Sequence, residues 1–210
     1  MNFEVNTIET NRLIIRKFTL DDANDFIDFR KQKELYTYMN DHSHKTDEEH
    51  IKDLSRIIAN YDAEISPSYV WAIELKENHK VIARVSIEKT YPKHNCIEIG
   101  GSLHPDYQGK GYAREFCLAF INYLFNHKSL HRIHIHIWAG NTASRKLFKR
   151  VGFVFEGTNK EARFKNGKYY DVWNYGLLRQ DWLILKKNKE LKFKKQLKTI
   201  EKHQTKNSPK

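Results

Sequence analysis

The order of apolar and polar positions along the chain changes period several times, and each change marks an element. Arg12-Leu13-Ile14-Ile15-Arg16, an apolar run between two arginines, reads as a first strand. In Thr19-Leu20-Asp21-Asp22, Thr19 can cap a helix and Asp22 falls in its first turn, where unpaired N–H groups favour an anion. Thr46-Asp47-Glu48-Glu49 has the spacing of a capping box, and Ile51, Leu54, Ile57 and Ile58 follow at helical intervals. A second helix is predicted there. Tyr69 to Leu75 and Val81 to Lys89 run apolar or alternate around the polar stretch 76–80, the pattern of an antiparallel hairpin.

Ile97 to Leu103 is a further strand, and a loop containing Gly109 and Gly111 connects it to a long helix with Phe116, Leu118, Ala119, Phe120, Tyr123 and Leu124. From Arg132 to Trp138 the alternation puts Ile133, Ile135 and Ile137 on one face of a strand and His134 and His136 on the other. Asn141-Thr142-Ala143-Ser144 opens a helix through Phe148 and Arg150, and Gly152 suits the left-handed residue that ends it. The last strands are Phe153 to Glu156 onward and Tyr170 to Leu178, joined at Asn166-Gly167, a strong hairpin signal. The sum is an α/β (α+β) fold with a mixed central sheet of about seven strands and helices on both faces.

Composition narrows the class. The chain has 210 residues, 40% apolar and 13% aromatic, enough for a buried core and too apolar for a disordered chain. No apolar run reaches the roughly 18 residues that span a bilayer, and MNFEVNTIET lacks the basic and apolar regions of a signal peptide, so a cytoplasmic protein without a membrane partner is expected. Cys96 and Cys117 match neither a disulfide framework nor a zinc spacing; two buried thiols are expected. His42, His44 and His50, and likewise His131, His134 and His136, have no carboxylate or cysteine that completes a recognisable ligand set in the sequence, so no metal is expected.

The net charge of +11 suggests nucleic acid until it is located. Ten Lys against Glu190 and Glu201 give residues 186–210 a charge of +8, leaving +3 for residues 1–185. The expected organisation is therefore one domain over 1–185 and a basic, flexible or helical tail over 186–210. The tail is either a solvated end or a contact for a ribosome, RNA or another acidic partner.

The chemical signal is the glycine loop between strand and helix. Glycines let a backbone approach a ligand closely, and a helix N-terminus offers N–H groups to an anion. Gln108-x-x-Gly111-x-Ala113 lacks both GxGxxG and the GK[ST] ending, which disfavours dinucleotides and nucleoside triphosphates. Together with Glu9-Thr10-Asn11-Arg12-Leu13-Ile14-Ile15-Arg16, Glu98-Ile99-Gly100, Asn141 to Phe153, Glu156-Gly157-Thr158 and Asn166 to Val172, it resembles the GNAT superfamily of N-acetyltransferases over about residues 7 to 183. The branch it resembles is that of the ribosomal-protein-alanine N-acetyltransferases and their relatives.

The resemblance implies an enzyme that transfers an acetyl group from acetyl-CoA to a primary amine, on a protein N-terminus or a small molecule, acting as a monomer or homodimer. The alternative is a catalytically inactive CoA-binding regulator or an RNA- or ribosome-associated module. Acetyl-CoA is implied to lie where two parallel strands splay, those ending near Leu103 and Trp138, with no metal required. Gln108, Gly109, Lys110, Gly111, Tyr112 and Ala113 are implied around the pyrophosphate, and Leu103 and Asn141 along pantetheine; Asn141 also suits a helix N-cap. Glu98 is the first candidate for the base and Glu161 the second. Alternation leaves the face of Glu98 open, and Arg163 departs from a position that is acidic in some members. Phe148 stands where many members carry a tyrosine acid, so Ser144 is the candidate near the CoA sulfur, with helix capping as its other role.

Overall fold

The computed structural model describes residues 3–62, 69–127 and 129–188. Its strands are β1 (Ile8–Glu9), β2 (Leu13–Arg16), β3 (Tyr69–Leu75), β4 (Val81–Tyr91), β5 (Cys96–Leu103), β6 (Arg132–Trp138), β7 (Val154–Lys165) and β8 (Lys168–Leu178). They form one sheet in the order β1-β2-β3-β4-β5-β6-β8-β7, in which β5 and β6 are the parallel pair. The eighth strand is β1, whose two residues are too few to show a period. The helices are α1 (Ala23–Lys31), α2 (Asp47–Ala59), α3 (Tyr112–Asn126), α4 (Thr142–Val151) and α5, over 179–188.

Period-two patterning decides which side of the sheet each residue serves. In β3 every residue is buried: Trp71 and Ile73 join the larger core with Phe116, Phe120 and Leu124 of α3, while Val70 and Ala72 meet Phe18, Phe26 of α1 and Leu54 of α2. Ile133, Ile135 and Ile137 take the α3 side, as their alternation predicts. Each large side chain moved from water into this layer contributes roughly 1.5–3 kcal/mol. The second layer stops at β4. Farther along the same face Glu98, His134, His136 and Asn174 stay partly open to solvent.

Local signals behave largely as their chemistry requires. The Thr46 hydroxyl accepts the Glu49 N–H, and the Glu49 carboxylate accepts the Thr46 N–H at 2.8 Å, closing the capping box of α2. Ile51, expected on the buried face of that helix, is instead 40% exposed; Leu54 carries the contact. Thr19 caps a short 3-10 turn at Leu20–Asp22, and α1 starts one residue later. Asn166 and Gly167 both have positive φ, 50° and 75°, as a tight hairpin turn demands. Cys96 and Cys117 are free and buried, and burial pushes the Cys117 thiol up to about 12.

One ion cluster ties this half together. Arg16 on β2 donates to both Asp22 oxygens at 2.8 Å and through Nε to Glu74 Oε2 on β3 at 2.5 Å. Burial alone would raise both carboxyls, but the hydrogen bonds and charge of Arg16 hold each below its ordinary value. The expected boundary at 185 falls inside α5, where Trp182 is buried and stacks on Phe125 at 6.4 Å and Lys186 reaches Asn122 Oδ1 at 3.0 Å. The tail beyond 188 lies outside the described residues.

Candidate active site

The parallel ladder between β5 and β6 is short: Cys96, Ile97 and Glu98 face Arg132, Ile133 and His134, and pairing ends there. Each strand then follows its other neighbour, β5 staying on β4 to the pair Leu103 and Ala83 and β6 staying on β8 to Trp138 and Val172. The strands part as a wedge with unladdered backbone on its inner edges. On the other side of β5 a Cβ on Gly101 would lie 2.8 Å from the Arg84 carbonyl oxygen, so only glycine permits that close approach.

The wedge opens into a cleft of about 760 Å³, a volume suited to a small-molecule site. Leu103, Gln108, Gly109, Gly111, Ala113, Asn141 and Ser144 all line it, so most of the residues expected to hold the cofactor stand together. Gly109 and Gly111 have φ of 75° and 83°, and Gly111 is the N-cap of α3. The first N–H groups of that helix have no carbonyl one turn back and face the loop. A Cβ on Gly109 would meet nothing within 4 Å, so open space lies before the cradle.

A residue not foreseen as part of the site fixes this loop. Arg12, just before β2, donates to the Lys110 carbonyl at 3.1 Å, pairs with Glu115 at 2.7 Å and lies 4.3 Å over the Tyr112 ring. Its partners are about a hundred positions away, so no local pattern could reveal them. Lys110 and Tyr112 do not line the cleft. The Lys110 ammonium sits 5.2 Å over Tyr107 and the Tyr112 ring is buried, which leaves their backbone as their contribution. Gln108 donates through Nε2 to the Leu103 carbonyl at 3.1 Å, tying the loop to the strand end.

Asn141 caps α4, its Oδ1 accepting the Ser144 N–H at 3.1 Å, and its amide nitrogen is left for other partners. Because Ser144 contributes its backbone to that cap, its hydroxyl is not committed to it. Phe148 lines the same wall and packs edge-on against Phe153 at 5.3 Å.

Glu98 lies on the open face of the sheet with its oxygens 2.9 Å from His136 Nδ1 and 3.7 Å from His134 Nε2. Hydrogen bonding and charge from His134 and His136 outweigh burial and draw its carboxyl down to about 2. His136 lines the cleft and Glu98 does not, so the imidazole stands between the carboxylate and the cavity. This corrects the expectation that no carboxylate joins the histidines: the parallel register supplies one. Glu161 is not brought to the cleft. It is exposed on β7 at φ 49°, in a break of register, and its N–H donates to Asp171 at 2.8 Å.

The far end of the cleft is walled by Arg30, Tyr36, Tyr38, His42, Arg84 and Glu88. Four of these come from α1 and the connection to α2, where no periodic pattern singles out a site.

Residues 12–154 match the family model for the acetyltransferase (GNAT) domain. The uncharacterized N-acetyltransferase YoaA of Bacillus subtilis is 27% identical over 172 residues, 82% of this chain and 96% of that protein. The spermidine N(1)-acetyltransferase of Vibrio cholerae is 34% identical over 90 residues, 43% of this chain and 52% of that protein. The crystal structure of the ribosomal-protein-S5-alanine acetyltransferase from Vibrio fischeri superposes with a TM-score of 0.73 at 26% identity, covering 84% of this chain and 98% of that one. Among the described residues no helix is long and apolar enough to cross a membrane.

Proposed function

The chain belongs to the acetyltransferase (GNAT) domain family and is an N-acetyltransferase, and from that premise we propose that it carries an acetyl group from acetyl-CoA to a primary amine, on a protein N-terminus or a small molecule. The observation that carries this reading is the end of the β5/β6 ladder at Glu98 and His134, directly beside a helix whose N-terminus is shaped by two left-handed glycines. Residues 108–113 hold the pyrophosphate mainly through backbone N–H groups, Leu103 meets pantetheine through its backbone, and the Asn141 amide nitrogen donates to it.

Aminolysis of a thioester needs a neutral amine, a polarised carbonyl and a proton for the thiolate that leaves. A backbone N–H between Gly101 and Leu103, freed by the wedge, polarises the carbonyl. Glu98 serves the amine through His136: the imidazole at the cleft takes the ammonium proton, and the Glu98 carboxylate, 2.9 Å from its Nδ1, balances the charge it gains. Ser144 protonates the thiolate, Phe148 having no proton to give. Glu161, exposed and away from the cleft, takes no part in this scheme.

Release of free CoA thiol, measured with a panel of N-terminal peptides and of small primary amines, tests the assignment and sorts the two acceptor classes. Saturable CoA binding without turnover on any member would replace the enzyme by a CoA-binding regulator.

A further inference from the structure

On the face of the sheet that α1 and α2 leave open, β5 and β6 present three metal-ligand side chains together. Residues two apart on a strand share a face, which sets His134 beside His136, and the parallel register sets Glu98 against His134. One donor atom from each lies within 4.8 Å of the others; Glu98 Oε1 is 2.9 Å from His136 Nδ1 and its Oε2 is 3.7 Å from His134 Nε2. Ligand atoms at about 2.05 Å from a tetrahedral zinc ion are about 3.3 Å apart, so drawing the set in from its span of at most 4.8 Å would admit an ion. Two imidazoles and one carboxylate suit zinc and its neighbours, whereas magnesium and calcium favour oxygen alone.

We propose that Glu98, His134 and His136 form a divalent transition-metal site, for zinc first, with its fourth coordination position open to solvent. The remaining ring nitrogen of His134 lies 3.2 Å from Cys96 Sγ, a contact that orients the ring as outer partners of metal-bound histidines do. The side chains are 21, 15 and 31% exposed for Glu98, His134 and His136, open enough to admit an ion and covered enough to hold fixed rotamers. His134 and His136 line a depression of about 450 Å³ whose wall includes Asn159 and Asn174. Asn174 stands opposite His136 in the β6/β8 ladder. Its Nδ2 donates to Asn159 at 3.0 Å, while its Oδ1 is buried with no donor among the described residues. The site stands independently of the acetyl-transfer reading, but where both hold, bound metal withdraws Glu98 from the amine and slows turnover.

The test uses the full-length protein freed of metal with a chelator, titrated with zinc chloride alone in a calorimeter and with cobalt(II) in an absorption spectrometer. One ion per chain is expected, with the visible bands of four-coordinate cobalt and no near-ultraviolet thiolate band. Removing a ligand should cost at least the roughly tenfold that loss of an outer partner costs, so His134→Gln and His136→Gln should each bind that much more weakly. Melting of the metal-free variants checks the fold. If His134→Gln unfolds, His136→Gln at the more exposed position carries the comparison. Failure of the wild type to bind zinc, or wild-type affinity in His136→Gln, overturns the site, and a strong thiolate band overturns this ligand set in favour of Cys96.

Discussion

Gly111 sits at φ 83°, and the nearest atom to a Cβ built there is Arg12 Nη2 at 3.5 Å, so a substitution is opposed by backbone conformation and not by crowding. A left-handed L-residue costs about 1–2 kcal/mol. Gly111→Glu also brings a negative charge to the N–H groups that would meet a phosphate. Calorimetry should show acetyl-CoA affinity lowered roughly tenfold or more, with a melting shift no larger than the backbone cost accounts for; wild-type affinity would place the cofactor elsewhere. Ser144 offers a cleaner separation of roles, because its N–H makes the contact to Asn141 and its hydroxyl does not. Ser144→Ala therefore leaves the cap intact. Turnover should fall by roughly ten- to a thousandfold, about 1.4–4 kcal/mol in the barrier, at nearly unchanged CoA affinity. Weakened binding with full turnover at saturation would make the hydroxyl a cofactor contact instead.

Elements were legible where a period or a cap could run its course, as in β3, β6, α2 and the Asn166-Gly167 hairpin. They were not legible where neither exists: β1 has two residues, and α5 follows β8 directly with no capping residue to announce it. Register was hidden altogether. Nothing in Ile97 to Leu103 says that Glu98 faces His134, or that pairing stops there, because that depends on how β4 and β8 hold their own partners. The same holds for Arg16, whose partners stand 6 and 58 positions away. Asp22 and Glu74 are 7 and 8% exposed, so Arg16→Met takes the guanidinium from two buried carboxylates, leaving them Thr19 and His79, and should cost about 3–5 kcal/mol in urea unfolding. The sign with pH follows from both carboxyls being held low when folded. Their contribution is fully present above the ordinary carboxylate range, near 4, and is lost as pH falls below it. In the variant the same groups lose their guanidinium, Glu74 keeping only His79 and Asp22 only Thr19, and gain more from protonation, so the stability gap should narrow between neutral pH and about pH 3. A gap that stays constant with pH would assign the loss to packing.

At the scale of the whole molecule, charge and fold are distributed differently. Residues 189–210 contain eight Lys against Glu190 and Glu201, a net +6 of the +11 carried by the chain. Among the described residues the core extends into α5, which brings buried Trp182 onto Phe125, and Leu185 lies so near Gly152 that a Cβ there would meet its Cδ1 at 2.4 Å. Cutting after Leu185 would sever α5 and lose the Lys186 contact to Asn122, so the informative truncation ends at residue 188. That chain should keep its melting temperature and its turnover on small amines, since among the described residues the core runs to Trp182 and the cleft lining to Phe148. If the basic segment meets RNA or a ribosome, the full chain should co-sediment with them at low salt and lose affinity as salt rises, by about 0.7–0.9 logarithmic units per tenfold salt for each phosphate neutralised. The truncated chain should show neither the association nor the salt slope. Equal co-sedimentation of both chains would leave the segment a solvated end, whereas a large drop in melting temperature would show that it packs on the domain and belongs to the fold.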